Sequence, residues 1–278
     1  MHWLLQPSTT LFPCLFSFSQ QGQEKRLFNL AVAQQKVSLQ SQEMKFAILA
    51  AGEGSRLAQE GVELPKPLVK VNGEAMIDRL IRIFNACGAE DIYIITNNLT
   101  DLTKNHLSSL QEKDKKIHLI VKTTPSSMHS FYELRQVMGE GKFCLTTVDT
   151  IFKEEEFMQY VDSWKHACYD GMMAVTDYID DEKPLYISTD TDMTITAFLD
   201  DEPQKYISGG IYGLDEKSFA VIDRCIAEGM SRMRNFQRQL VQDGLTLKAY
   251  PFSKILDVDH ASDIEKAEAF LNQQDGRN

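Results

Sequence analysis

The stretch LAAGEGSRL (residues 49–57), followed by PKPL (65–68), decides the fold class of this chain. It begins at the end of an apolar run, residues 45–51, which predicts a buried strand. A glycine-containing loop directly after the first strand of a parallel sheet lies at the edge where open α/β sheets bind ligands. The sequence therefore predicts a ligand-binding loop at the start of an α/β domain.

The residue types in this loop suit phosphate groups. Successive backbone N–H groups of a glycine-rich loop surround phosphate oxygens, and small side chains let a ligand approach the backbone. Arg56 adds a planar donor for a phosphate, and Lys66 is held between two prolines that fix its local backbone. The predicted nucleotide-binding residues of the loop are Ala50, Ala51, Gly52, Glu53 and Gly54.

Strands and helices alternate on the C-terminal side of this loop. The hydrophobic pattern predicts a polar loop over 53–66, a helix over 74–86 and further strands over 91–96, 117–122 and 142–148. This alternation indicates a three-layer, doubly wound, mostly parallel sheet of the Rossmann-like type. Four closely spaced strand patterns between 172 and 214 add an antiparallel subregion, and a last strand is predicted over 247–258.

Composition limits the partners and the location. The net charge of −11 argues against nucleic acid and anionic membranes as partners. Five scattered cysteines, none in C-x-x-C spacing, favour a reduced, cytoplasmic protein. We interpret residues 44–278 as one domain, and residues 1–43, rich in Gln and Ser in their second half, as a disordered or mis-assigned extension.

The string L-A-A-G-x-G-S-R-L followed by P-K-P-L resembles the sugar-nucleotidyltransferase family, the NDP-sugar pyrophosphorylases. The resemblance runs from Lys45 to about Leu271 and implies a Rossmann-like nucleotidyltransferase domain. It also implies that the glycine loop holds the phosphates of an NTP, and that Arg56 and Lys66 contact them and help pyrophosphate to leave. The acceptor it implies is a phosphorylated small molecule, with a sugar 1-phosphate favoured.

Two further segments are candidate Mg²⁺ sites. Asp149 ends the predicted strand 142–148, and the resemblance implies a magnesium ligand there, although Val148 stands where the family has glycine. Capping of the next helix is the alternative role for Asp149. Asp257 and Asp259 are interpreted as alternating along a strand at the end of the segment 247–258, so they are expected on one face. The resemblance implies one late aspartate as second ligand, and we expect the carboxylates of Asp149 and Asp257 to converge, with Asp259 as second choice.

Base and acceptor contacts are less well defined by the sequence. Ser126 and Ser127 follow the third strand, where the family reads the base, but capping of the next helix explains them as well. The family's Gly-Thr-Ala is replaced by Ser-Met-His, which is closer to the choline-phosphate cytidylyltransferase branch. The base therefore stays open. By resemblance the acceptor side contains Glu202, Lys205, Gly210 and Tyr212.

Other functions compete with an NDP-sugar synthase. The alternatives within the same fold are a cytidylyltransferase acting on phosphocholine or a similar phosphorylated alcohol, and a catalytically silent nucleotide-binding relative. A dinucleotide oxidoreductase would require G-x-G-x-x-G, whereas Leu57 stands at the position of the third glycine. A glycosyltransferase would place its Asp-x-Asp in the middle of the chain, whereas Asp257 lies near the end.

Overall fold

A computed structural model describes residues 44–180 and 182–273 of the chain. The predicted extension over residues 1–43 lies outside the described residues, so its interpretation stays a prediction. Among the described residues, no helix has both the length and the apolar composition needed to cross a membrane.

Strands and helices alternate through the first half, as predicted. The strands are β1 Met44–Ala50, β2 Lys70–Val71, β3 Glu74–Ala75, β4 Ala89–Thr96, β5 Ile117–Val121, β6 Phe143–Thr147, β7 Thr150–Ile151, β8 Gly171–Thr176, β9 Tyr186–Thr189, β10 Ile195–Leu199, β11 Tyr206–Leu214, β12 Leu247–Phe252 and β13 Leu256–Asp257. The helices are α1 Ser55–Gln59, α2 Met76–Ala86, α3 Asp101–Lys113, α4 Ser127–Met138, α5 Glu154–His166, α6 Lys217–Ala227, α7 Met233–Gln242 and α8 Ala261–Asn272. A short 3₁₀ helix covers Lys66–Leu68.

The central sheet is mostly parallel and carries an antiparallel subregion. Strand β1 lies between β4 and β6 and is parallel to both, and β5 extends this parallel part beyond β4. Strand β11 runs antiparallel to β6 and to β8, while β12 is parallel to β8. Strands β9 and β10 complete the antiparallel subregion. The α/β fold class predicted from the sequence is confirmed.

Helices cover both faces of the sheet, so the domain has three layers. Phe46 and Ile48 of β1 point into one core, where they meet α2 and α5. Ala47 and Leu49, which alternate with them, point into the other core, against α4, α6 and α7. Since the first strand is buried on both faces, all of its residues apart from Lys45 are apolar, which is typical of the centre of a parallel sheet.

Three local predictions were wrong. The strand predicted over 247–258 is divided: it leaves the sheet after Phe252, and β13 pairs with β7 instead. Its apolar pattern continues because Leu256 and Val258 are buried in a separate small core against α8. The predicted loop over 53–66 contains α1, and the first two residues of the predicted helix 74–86 form β3, which pairs with β2.

Candidate active site

The glycine loop follows β1 at the edge of the sheet where the parallel strands end. The Asn97 side chain, at the end of β4, donates hydrogen bonds to the carbonyl of Gly52 at 2.8 Å and to that of Ala51 at 3.3 Å. These bonds fix the loop from a neighbouring strand. Asn97 was missed at the level of sequence because nothing in its local pattern separates it from an ordinary strand end.

The two glycines of the loop are needed for different reasons. Gly54 has φ +63°, and a Cβ there would lie 2.9 Å from the Cβ of Lys66. The folded chain therefore excludes a side chain at this position. A Cβ added at Gly52 would meet nothing within 4 Å, so the protein itself leaves room for a side chain there. Gly52 faces open space that a ligand can fill.

A cavity of about 310 Å³ opens against the loop, and we call it the loop cavity. Its wall consists of the glycine loop, the Lys66–Pro67 segment, the start of α4 and the end of β6. It is lined by Leu49, Ala50, Ala51, Gly52, Glu53, Lys66, Pro67, Thr124, Pro125, Ser126, Ser127, Ser130, Thr147, Val148 and Asp149. Apart from Arg56 and Gly54, the residues predicted for phosphate and base binding are therefore brought together in one cavity.

Ser126 serves as the N-cap of α4. Its hydroxyl accepts a hydrogen bond from the amide of His129 at 3.5 Å and lies 2.9 Å from the His129 ring nitrogen Nδ1. The capping role that the sequence left open is thus present. It does not remove Ser126 from the cavity wall, where its neighbour Ser127 also lies.

Four charged side chains form an ion-pair cluster beside the loop: Arg56, Lys66, Asp149 and Asp259. The Lys66 ammonium contacts the carboxylate of Asp149 and lies 2.6 Å from Oδ1 of Asp259. Arg56 Nη1 lies 3.0 Å from Oδ2 of the same Asp259. The two cations predicted from the sequence therefore meet at one carboxylate, which the sequence placed about 200 positions away.

Lys66 keeps its charge at any physiological pH. Its side chain is only 11% exposed, and burial opposes the ammonium form. The carboxylates of Asp149 and then Asp259 outweigh this effect and raise the pKa of Lys66 above its ordinary value. Conversely, Lys66 and Arg56 lower the pKa of Asp259 against the opposing effect of its partial burial. Both shifts favour the charged forms, so Lys66 and Asp259 form an ion pair in the folded protein.

Asp257 lies next to Asp149 on a pair of short antiparallel strands. Asp257 opposes Thr150 in the β13–β7 pair and accepts a hydrogen bond from its hydroxyl at 3.2 Å. The Val258 amide donates to the carbonyl of Asp149 at 3.1 Å. The chain thus places Asp149 and Asp257, as expected, on the same side of the molecule.

The Asp257 carboxyl stands among closely packed protein atoms while remaining reachable by solvent. Crowding that withdraws water from the carboxylate, and then repulsion from Asp149, raise the pKa of Asp257 to about 8. A divalent cation would relieve the repulsion between two carboxylates held in this way.

This donor set fits Mg²⁺, which takes oxygen ligands and commonly uses one or two carboxylates together with substrate phosphates. The structure separates the roles of the two late aspartates: β13 ends at Asp257, and Asp259 already pairs with two cations. The prediction that Asp257 and Asp259 alternate along one strand was wrong because the chain turns toward α8 after Val258. Within 44–180 and 182–273, no group of three or more His, Cys, Asp or Glu side chains has metal-binding geometry.

A second cavity, of about 340 Å³, lies on the other side of the cluster, and we call it the acidic cavity. It is bounded by the segment after β8, the middle of β11 and the stretch from β13 to the start of α8. Its lining residues are Arg56, Thr176, Tyr178, Asp180, Glu182, Lys183, Ile207, Ser208, Gly209, Ile255, Leu256, Asp257, Asp259, His260, Ser262, Asp263 and Lys266. Tyr178, Asp180, Glu182 and Lys183 were not identified from the sequence, because only tertiary contacts bring them here.

The residues predicted to bind the acceptor do not lie together in the structure. Glu202 and Lys205 are exposed, and neither is among the residues that line the two cavities. The ammonium of Lys205 lies instead 4.8 Å from the ring centroid of Tyr206. Gly210, with φ +73°, lies behind the site, where a Cβ would come within 3.2 Å of the Thr150 hydroxyl.

Tyr212 is buried close to Asp149 and Asp257. Burial, and then the charge of Asp257, raise the pKa of its phenol. Ser208, which lines the acidic cavity, accepts a hydrogen bond from the Gln237 side chain at 2.9 Å. Tyr212 itself lies beneath the surface and lines neither cavity, so its predicted contact with an acceptor stays a prediction.

Comparisons with known proteins show which family and which fold the chain resembles. The sequence profile of the nucleotidyl transferase family matches residues 45–274. The 2-aminoethylphosphonate cytidylyltransferase of Lancefieldella rimae is 29% identical over 127 residues, which cover 45% of this chain and 49% of that protein. The N-acetylmuramate alpha-1-phosphate uridylyltransferase of Caulobacter vibrioides is 28% identical over 123 residues, covering 41% of this chain and 49% of that protein. The chain thus spans about half the length of these curated relatives.

A solved structure shares the whole fold. The CTP:phosphocholine cytidylyltransferase of Streptococcus pneumoniae superposes with a TM-score of 0.68 at 22% identity, covering 82% of this chain and 99% of that one. At this identity the likeness concerns the fold. The three named proteins differ in the acceptor given in their names, and two of them are cytidylyltransferases while the third is a uridylyltransferase.

Proposed function

Because that profile covers most of its length, the chain belongs to the nucleotidyl transferase family, and we propose that it transfers a nucleotidyl group from an NTP to a phosphorylated small molecule, releasing pyrophosphate. One observation carries the proposal: the loop cavity and the acidic cavity meet at the ion-pair cluster and Asp257. A triphosphate in one cavity and an acceptor phosphate in the other would both reach that junction. A cytoplasmic location, where NTPs are supplied, is part of the same proposal.

The proposed reaction requires alignment and charge neutralisation. An oxygen of the acceptor phosphate attacks the α-phosphorus, and the bond from that phosphorus to the bridging oxygen of the β-phosphate breaks. Pyrophosphate leaves with the electron pair of that bond. Since the acceptor phosphate is already an anion at neutral pH, the step requires no general base and no covalent intermediate.

The chain's own groups have separate tasks in this scheme. The backbone of the glycine loop binds phosphate oxygens, and Asn97 holds that loop in place. Lys66 and Arg56 stabilise the negative charge that accumulates on the leaving pyrophosphate. Asp149 and Asp257 would hold Mg²⁺, which, when bound, shields the triphosphate charge from the incoming acceptor anion.

We favour a sugar 1-phosphate as the acceptor. The sugar-phosphate uridylyltransferase among the relatives supports this class. A second candidate is phosphocholine or a related amine-bearing phosphate, because Glu182 and Tyr178 give the same cavity a carboxylate and an aromatic ring. Those groups suit an ammonium ion.

A matrix of purified protein, four NTPs and three acceptors tests the function. The acceptors are glucose 1-phosphate, phosphocholine and 2-aminoethylphosphonate, each assayed with Mg²⁺ and with EDTA, and pyrophosphate release is measured. We expect release with one NTP–acceptor combination and none in EDTA. Nucleotide binding without release in any combination would refute the transferase and favour the silent relative.

A further inference from the structure

Asp259 forms ion pairs that its position in the sequence did not predict. Its two carboxylate oxygens are divided between two cations, Oδ1 with Lys66 at 2.6 Å and Oδ2 with Arg56 at 3.0 Å. These are the two side chains assigned to the phosphates of the nucleotide. A carboxylate with one oxygen on each cation imitates two oxygens of a phosphate group.

The backbone that carries Asp259 is fixed on both sides. The preceding residue, Val258, is fully buried and donates to the carbonyl of Asp149. The amide of Asp259 itself donates to the side chain of Asp263 in the first turn of α8 at 3.2 Å. The carboxylate is therefore held at a set position, and the two cations are drawn toward it.

The two ion pairs of Asp259 differ in how easily a ligand can replace them. Arg56 is 58% exposed and Asp259 is 43% exposed, so water screens this pair, and such pairs contribute about 0–1 kcal/mol. Lys66 is 11% exposed and stays in contact with Asp149 when Asp259 is released. A triphosphate can thus take over both cations from Asp259 without leaving either cation unpaired.

The cluster also spans the junction between the cavities. Lys66 and Asp149 line the loop cavity, whereas Arg56 and Asp259 line the acidic cavity. The contacts of Asp259 therefore hold the two cations together across the place where donor and acceptor phosphates must meet.

We propose that Asp259 is a positioning residue that stands in for phosphate at Arg56 and Lys66 until a triphosphate arrives, and is not a metal ligand. This inference rests on the proposed function. It has two consequences for the protein without substrate. Both cations are already oriented before the nucleotide binds, and free phosphate-like anions must compete with Asp259 to reach them.

Binding of inorganic triphosphate in EDTA tests the inference, because no metal takes part. We expect Asp259→Asn to bind this probe about tenfold more tightly than the wild type in isothermal titration calorimetry, since a competing charge is removed. Asp180→Asn is the matched control, because Asp180 lines the same cavity but pairs with Lys266. It should tighten binding by less than about twofold, the general effect of one lost charge.

Kinetics with Mg²⁺ separate positioning from a structural role. Without Asp259 the cations are less well oriented, so kcat should fall about tenfold while the KM for the NTP does not rise, and Asp259→Glu should restore part of kcat. Unchanged melting temperatures would show that both variants fold.

Two results would overturn the inference while leaving the proposed function intact. One is that the wild type is active, while the Asp259→Asn variant binds triphosphate in EDTA no more tightly than the wild type does. The other is a loss of Mg²⁺ affinity in Asp259→Asn equal to that in Asp257→Asn, as a metal ligand requires. A wild type that neither binds triphosphate nor releases pyrophosphate would overturn both.

Discussion

The loop cavity and the acidic cavity are built in different ways. The phosphate-binding part of the loop cavity comes from one continuous stretch, residues 49–68, at the ends of parallel strands. The acidic cavity is assembled from three segments far apart in sequence, together with Arg56. A site made largely of backbone can be recognised in the sequence as a motif of small residues. A site made by tertiary contacts of side chains has no such local motif. The variants below test whether this difference in construction is also a difference in function.

The largest effect is expected where the two regions meet. Asp149→Asn and Asp257→Asn should each lower kcat/KM for pyrophosphate release by about 10²–10³-fold, because each removes charge that would hold the cation on the triphosphate. Initial rates over a range of Mg²⁺ concentrations provide the measurement. Asp162→Asn, an exposed carboxylate on α5, is the control and should keep wild-type turnover.

The stability of these variants gives a second readout. Asp257→Asn removes the repulsion from Asp149, so its melting temperature should equal or exceed that of the wild type. If one of the two aspartate variants kept full turnover, the two regions would not share a cation.

A smaller effect is expected within the glycine loop. Gly52→Ala should raise the KM for the NTP about 10–100-fold while changing the free energy of unfolding by less than about 0.5 kcal/mol, because the added methyl occupies ligand space only. Gly54→Ala should instead lower that free energy by about 1–2 kcal/mol, since its φ is positive and its Cβ would collide with Lys66. Urea unfolding and initial-rate kinetics measure the two quantities.

The test depends on the difference between the Gly52→Ala and Gly54→Ala variants in KM and in stability. A Gly52→Ala protein with wild-type KM would mean that no ligand approaches the loop there. An equal loss of stability in both variants would show that Gly52 is needed for folding.

The smallest effect is expected in the acidic cavity. Glu182→Gln should raise the KM of phosphocholine about threefold and leave the KM of glucose 1-phosphate unchanged, because one partly solvated carboxylate contributes little to binding. Acceptor titrations at saturating NTP measure both constants. An equal rise for both acceptors would assign Glu182 to the shape of the cavity instead of to recognition of an ammonium ion.

Prediction from sequence worked where a local pattern determines structure. The buried run of β1 and the loop after it were located because a parallel strand must be apolar on both faces. Asp149 was found as a carboxylate at a strand end. The antiparallel subregion was recognised from strand patterns too closely spaced for helical crossovers.

Prediction from sequence failed where contacts with residues far away in the sequence determine the structure. The apolar residues around Leu256 look like a strand of the main sheet, yet they are buried against α8. Asn97 binds the glycine loop across the gap between two strands, which no local pattern reveals. The role of Asp259 depends on Arg56 and Lys66, which approach it only after folding.

The pairing of β13 with β7 brings together groups 107 positions apart. During synthesis the N-terminal part of a domain leaves the ribosome first. Strand β6, which leads to Asp149, pairs with β11, so Asp149 is held in place only after most of the chain has emerged. Asp149 and Asp257 come together only near the end of translation, so chains that end before Asp257 should lack both the pairing of β13 with β7 and the proposed Mg²⁺ site.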